Sequence, residues 1–273
     1  MSQCKGQIAI VSGAARGLGR AFAEALAGAG ARVVAFDVDP AIVNVAQELA
    51  ARFTAEVHGL VADVSNRADC ERVVAHAAGL GGIDILVNNA GVWRETPVDS
   101  DWATAVADWD YVMDTNLKGV LLLSRAATPH MKGRTNANII NISTYYVLPA
   151  RSSGTNPPGT DLYAASKWAL NGFTDAWAGH LASSGIRVNA LAMGAVDTPM
   201  LRGLFDDGQL PPDMAANVMQ GEQMGRLMLD LIAEGPTGRT GENIGAWVGV
   251  PVGLGPRKSA YERITGFNQR FER

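Results

Sequence analysis

The chain has 273 residues, of which 47% are apolar and 18% charged, and its formal net charge is -4. This composition excludes a disordered chain, and the slightly acidic balance gives no electrostatic reason to expect nucleic acid or an anionic membrane as a partner. Cys4 and Cys70 have neither CxxC nor zinc-ligand spacing, so reduced thiols in a cytoplasmic compartment are expected. No basic segment leads into a long apolar run at the amino terminus, so no signal peptide is expected, and no stretch reaches the length of a membrane span. The sequon at 141–143 lies in a strand-like run and is expected to stay unmodified. His58, His76, His130 and His180 show no metal-ligand spacing.

In chain order, a strand over 7–11 leads through a glycine-rich turn into a helix over 18–29. A strand over 32–36 ends before Asp37 and is followed by a helix over 41–52. Strands over 56–62 and 83–88 flank a helix over 67–78. A long helix over 108–131, a strand over 138–142 and a second long helix over 162–183 come next. Strands over 187–192 and 243–248 bracket a helix over 212–233. Short apolar runs alternating with segments of helical period argue for βαβ units and a parallel sheet. The expected fold class is α/β, a Rossmann-type doubly wound parallel sheet of about seven strands. No repeat or linker divides it, so 1–273 reads as a single domain. Two irregular stretches remain, about 147–160, rich in Pro, Gly, Ser and Thr, and about 194–211, a loop carrying Met200, Leu201, Leu204 and Phe205. Loops of this kind on a rigid sheet commonly shape a substrate pocket.

Gly13, Gly17 and Gly19, with Arg16 and Leu18 between them, fall between a strand and a helix. Glycine permits close backbone approach, and the helix that follows presents free N–H groups and its positive dipole end to a pyrophosphate. Asp37, 18 residues beyond Gly19, stands where a carboxylate accepts hydrogen bonds from adenosine ribose hydroxyls. Val38 and Asp39 follow, so no cation meets a 2′-phosphate there. NAD is therefore favoured over NADP, with Arg16 keeping NADP as the alternative. Further along, Tyr163 and Lys167 lie four residues apart on one helix face. The ammonium can lower the phenol pKa from about 10 toward working pH, as acid/base catalysis on a carbonyl or alcohol requires.

The order and spacing of these segments resemble the short-chain dehydrogenase/reductase family, in its compact single-domain branch. The residues that carry the resemblance are Gly13-x-x-x-Gly17-x-Gly19, Asp63-Val64, Asn88-Asn89-Ala90-Gly91, Asn116, Asn141-Ile142-Ser143 and Tyr163-x-x-x-Lys167. The resemblance implies that Asp63 and Val64 contact the adenine, and that Asn89, Ala90 and Gly91 line the adenosine and ribose side. Gly194, Val196 and Thr198 match the segment beside the nicotinamide carboxamide. It further implies that Tyr163 transfers the substrate proton, that Lys167 holds the nicotinamide ribose and depresses the tyrosine pKa, and that Asn116 holds a water of a proton relay. A hydroxyl at 143 or 144 would bind the reacting oxygen, the family register pointing to Thr144 with Ser143 beside it. The implied activity is NAD-dependent interconversion of a secondary alcohol and its ketone. A catalytically silent dinucleotide-binding regulator is the alternative, and a sugar epimerase or dehydratase sharing YxxxK is disfavoured by the glycine spacing.

The family's pattern is broken in two places. Between Thr144 and Tyr163 the spacing is longer than usual, the excess falling at 151–159 as an insertion beside the substrate mouth. Met193 stands where the family commonly has Pro. Trp93, Tyr145, Tyr146, Met193, Met200, Leu204 and Phe205 are expected to form a hydrophobic pocket for a bulky apolar alcohol or ketone. The resemblance also implies a homodimer or homotetramer, paired through the helices at 108–131 and 162–183. The basic tail with Arg257, Lys258, Arg263, Arg270 and Arg273 is expected to be solvated or to cross between subunits.

Overall fold

Seven apolar runs form one parallel sheet in the computed structural model, which describes residues 3–147 and 158–257. The strands are β1 (Ile8–Ser12), β2 (Arg32–Asp37), β3 (Val57–Val61), β4 (Ile85–Asn88), β5 (Ala137–Thr144), β6 (Ile186–Met193) and β7 (Asn243–Ala246), in the order β3-β2-β1-β4-β5-β6-β7. Every neighbouring pair is parallel. Parallel strands need crossovers, and the helices that supply them cover both faces. β1, β5 and β6 are accordingly buried along their whole length. Successive residues serve opposite cores. Ala9 and Val11 pack with the helices α1 (Gly17–Gly28), α2 (Ile42–Phe53) and α9 (Gly221–Ala233). Ile8 and Ile10 pack with α3 (Arg67–Gly79), α5 (Gly119–Met131) and α6 (Asp161–Leu181).

Helix α1 forms although its first turn holds two glycines, Gly17 and Gly19. Each glycine costs up to about 1 kcal/mol against alanine. Phe22 and Leu26, both fully buried, contribute about 1.5–3 kcal/mol each and decide the balance.

Two expected helices differ from the observed ones. The helix expected over 108–131 begins earlier, at α4 (Trp102–Met113), where the Asp101 carboxylate accepts from the N–H groups of Ala103 and Thr104. It is then interrupted by a π-helical turn, Asp114–Lys118, before continuing as α5. The outer face of α4 carries Trp102, Val106 and Trp109, all exposed, which reverses the apolar pattern that marks a helix's inner face. The helix expected over 212–233 is also divided. Short helices α7 (Pro199–Arg202) and α8 (Pro212–Ala215) precede an extended segment, and α9 starts with a capping box between Gln220 and Gln223. The extended segment pairs with the chain leaving β6, where Met219 N–H donates to Ala195 O at 3.1 Å and Asp197 N–H to Met219 O at 2.8 Å. The loop expected over 194–211 is thus closed at its base. Asp197 and Arg202 form a two-pronged ion pair inside it, at 2.7 and 2.9 Å.

The insertion expected at 147–160 falls largely outside the described residues, as do Lys258, Arg263, Arg270 and Arg273. Asn141 of the sequon is fully buried in β5, out of reach of a modifying enzyme. Among the described residues no helix is long and apolar enough to cross a membrane. Both thiols are buried, and burial pushes Cys4 up to about 11 and Cys70 up to about 12, so neither is a nucleophile near neutrality.

Candidate active site

Strand order reverses between β1 and β4, and in open α/β sheets ligands bind at the carboxyl ends of such strands. The glycine-rich turn leaves β1 there. Gly13 and Gly17 have φ of +65° and +58°, a region that side chains other than glycine rarely adopt. A Cβ on Gly19 would stand 2.0 Å from Gly13 O, so the helix can follow the turn this closely only with glycine. Arg16 at the N-cap supplies no side-chain cap. The first N–H groups of α1 therefore remain open toward the turn and could receive a pyrophosphate.

Asn89 holds the turn in place. Its side-chain amide donates to Ser12 O at 2.9 Å and Gly13 O at 3.1 Å, while Ser12 Oγ accepts from Asn89 N and Ala90 N. The resemblance implied that Asn89 lines the ribose side. Its side-chain amide is bonded to the glycine turn. Asp37 binds the same turn from β2: its carboxylate accepts from Ala15 N and Asp39 N, each at 3.0 Å. Two of about four lone-pair positions on a carboxylate remain for ribose hydroxyls. Arg16 is exposed. Asp63 accepts from the Ser65 N–H and hydroxyl, both at 2.8 Å, and Val64 is buried against Gly119. Val64 thus offers packing support more than open surface. Thr198 and Pro199 at the start of α7 lie over Gly17, at 3.6 and 3.5 Å from the position of its missing Cβ. The start of α7 therefore packs directly on the glycine turn.

At the other side of the crevice, β5 runs two residues beyond its expected end and sets Thr144 opposite Met193. Tyr163 and Lys167 come from the first two turns of α6. Lys167 is 5% exposed, and its ammonium donates to Ile142 O at 2.9 Å. Burial pushes Lys167 down to about 8. Burial likewise pushes the Tyr163 phenol up to about 12, while a hydrogen bond with the Thr144 hydroxyl acts in the opposite direction. Lys167 Nζ stands 5.7 Å from the Tyr163 ring centroid, and the Thr144 hydroxyl bonds the phenol. The two candidate hydroxyls are also separated. Thr144 reaches Tyr163, whereas Ser143 Oγ is buried and has no hydrogen-bond partner among the described residues.

Asn116 sits in the π-helical turn and is fully buried. Its side chain is committed to protein, accepting from Val92 N at 2.8 Å and donating to Val92 O at 3.0 Å and Ser166 Oγ at 3.1 Å. It therefore anchors the chain leaving β4. Gly91 leaves room beside it. A Cβ there would lie 3.3 Å from Asn116 Oδ1 and 3.5 Å from Lys167 Nζ.

The expected apolar pocket is only partly assembled. Tyr145 and Tyr146 pack ring to ring at 4.5 Å just after Thr144, and Tyr145 stands against Gly194. Met200 and Leu204, in contrast, are exposed. The buried ionic clusters Asp84–Arg134 and Arg187–Glu234–Arg239 lie at the amino ends of β4 and β6, opposite the site.

Comparison with known proteins agrees with this geometry. The family model described as short chain dehydrogenase matches residues 7–209. The chain is 37% identical over 204 residues to 3-oxoacyl-(acyl-carrier-protein) reductase FabG of Escherichia coli K12, covering 74% of this chain and 79% of the relative. It is 35% identical over 205 residues to the oxidoreductase UcpA of the same organism, covering 75% and 74%. A solved structure from Sinorhizobium meliloti 1021, assigned as a short-chain alcohol dehydrogenase, superimposes with a TM-score of 0.76 at 32% identity, covering 88% of this chain and 94% of that one. The match over most of its length shows that the chain belongs to the short-chain dehydrogenase/reductase family of oxidoreductases.

Proposed function

We propose that this protein is an NAD-dependent oxidoreductase that interconverts a hydrophobic secondary alcohol and its ketone, with Tyr163 as acid/base. The observation that carries the reading is the meeting of Thr144, Tyr163 and Lys167 at the carboxyl end of β5, beside the glycine 91 gap. The family binds nicotinamide cofactors, and when bound the nicotinamide accepts or donates the hydride. Gly13, Gly17, Leu18 and Gly19 would hold the pyrophosphate, Asp37 the adenosine ribose, and Lys167 the nicotinamide ribose. In ketone reduction Tyr163 donates its phenol proton to the developing alkoxide, and Thr144 orients that oxygen through its hydroxyl. Burial lowers the Lys167 ammonium to about 8, so it can exchange a proton near working pH.

Asp37 supports NAD, because a carboxylate already bound to the glycine turn repels a 2′-phosphate. Tyr145 and Tyr146 support an apolar substrate. The names of the 3-oxoacyl reductase relatives support a second reading, reduction of a 3-oxoacyl thioester. Trp102, Val106 and Trp109 recur at helical spacing on the outside of α4, which packs on α6 where Trp168 is also exposed. An exposed apolar face of this kind supports a homodimer or homotetramer paired through these helices.

The test is the initial rate of NADH and NADPH consumption or formation, run in parallel across hydrophobic ketones, their alcohols and a short 3-oxoacyl thioester, with Tyr163→Phe as the blank. Turnover with NAD on a ketone–alcohol pair, lost in Tyr163→Phe, supports the proposal. Preference for NADP rejects the Asp37 argument, and turnover confined to the thioester favours the second reading. Tight NADH binding without turnover on any substrate favours the silent regulator.

A further inference from the structure

The five residues from Val92 to Thr96 are tied to the catalytic helix at two places, at one of them through Asn116. At one end the Val92 peptide is gripped on both its N–H and its carbonyl by the Asn116 amide, which also donates to Ser166 Oγ. Ser166 in turn donates to Tyr163 O at 2.7 Å and is fully buried. At the other end Thr96 N–H donates to Gly159 O at 2.7 Å, and Thr96 forms an isolated parallel bridge with Thr160. The Thr96 hydroxyl makes a short hydrogen bond to the Asp161 carboxylate, whose same oxygen accepts from Leu162 N at 2.7 Å. Thr96 and Thr160 are 4% and 3% exposed, so the Thr96 side of these bonds is shielded from water, while the Asp161 carboxylate that it holds is exposed. Gly159, at φ +69°, lets the two segments meet, since a Cβ there would stand 2.9 Å from Glu95 Cγ.

Tyr163 lies between the two grips, two residues after Asp161 and three before Ser166. We propose that Thr96 and Ser166 are positioning residues for Tyr163, making the 92–96 segment a strap that fixes the first turns of the catalytic helix against β5. Neither side chain is placed among the groups expected to meet cofactor or substrate. Their effect reaches the chemistry only through the placement of the phenol. Displacing a reacting group by about 1 Å can cost on the order of a hundredfold in rate, so losing one grip should lower kcat about tenfold or more while cofactor affinity stays unchanged.

This inference rests on Tyr163 acting as the proposed acid/base, so the test carries one readout that needs no turnover. Thr96→Val, Thr96→Ser and Ser166→Ala are compared with wild type by amide hydrogen exchange of 158–167, by NADH binding, and by kcat and KM. Faster exchange confined to 158–167 in Thr96→Val, with kcat reduced at unchanged NADH affinity and both restored by Thr96→Ser, supports the strap. Unchanged exchange in that turn overturns it. So does a parallel loss of NADH affinity, or no rescue by serine, because either would mean a general structural role. If wild type turns over none of the substrates, the proposed reaction fails, and the exchange result still decides whether the strap holds the helix.

Discussion

Replacing Lys167 by methionine should make the cofactor-free protein more stable at neutral pH. Methionine keeps the length and flexibility of the lysine stem but carries no charge. Burial takes Lys167 from 10.5 to about 8, which corresponds to about 3 kcal/mol against the charged amine at 1.36 kcal/mol per pKa unit. The lost hydrogen bond to Ile142 O offsets about 1 kcal/mol of this, leaving a net gain of about 2 kcal/mol at pH 7. The sign with pH follows from linkage. Below pH 8 the lysine is charged in both folded and unfolded chains, and the full penalty applies. Between pH 8 and 10.5 the unfolded chain keeps a proton that the folded chain has released, so wild-type stability rises with pH and the advantage of methionine fades. Urea unfolding of the two proteins at pH 7 and pH 10 reads the difference directly. A less stable Lys167→Met at pH 7, or a gain of the same size at both pH values, would refute the burial argument. Turnover should be lost in the same variant, a trade of activity for stability common at active sites.

Three shorter tests address other parts of the site. Thr144→Val should lower kcat about a hundredfold or more, whereas Ser143→Ala should keep activity and stability, since its hydroxyl has no partner among the described residues; equal losses in both would remove the distinction drawn between them. Gly19→Ala should destabilise by about 1–3 kcal/mol through overpacking against Gly13 O and weaken NADH binding, checked by urea unfolding and fluorescence titration. Trp109→Glu should shift sedimentation velocity from dimer or tetramer to monomer, and a monomeric wild type at micromolar concentration would count against pairing through α4.

Strands were legible because a parallel sheet buried on both faces leaves unbroken apolar runs such as 8–11 and 33–36. Their last residues were less so: Thr144 and Met193 extend β5 and β6 because each pairs with the other, a condition local composition does not record. The start of α4 was hidden by its outward Trp102, Val106 and Trp109, and the π-helical turn by the absence of any glycine or proline at 114–118. Tyr163, Lys167 and Thr144 could be picked out from motif spacing. The work of Asn89 could not, because an amide bonding Ser12 and Gly13 depends on β4 lying beside β1. Thr96 and Ser166 escaped for the same reason, as their partners are 65 and 50 residues away.

The pairing of Met219 with Ala195 and Asp197 has a consequence for how this protein can change. The excursion from 198 to 218 leaves and rejoins the fold at neighbouring points, so its length is nearly decoupled from the sheet. Doubling a closed loop costs only about 0.6 kcal/mol in chain entropy, less than a single methylene lost from the core. Residues can therefore be added, removed or exchanged within it while the base pairing holds the crevice open at the same width. The segment is in effect a replaceable module set on an unchanging sheet.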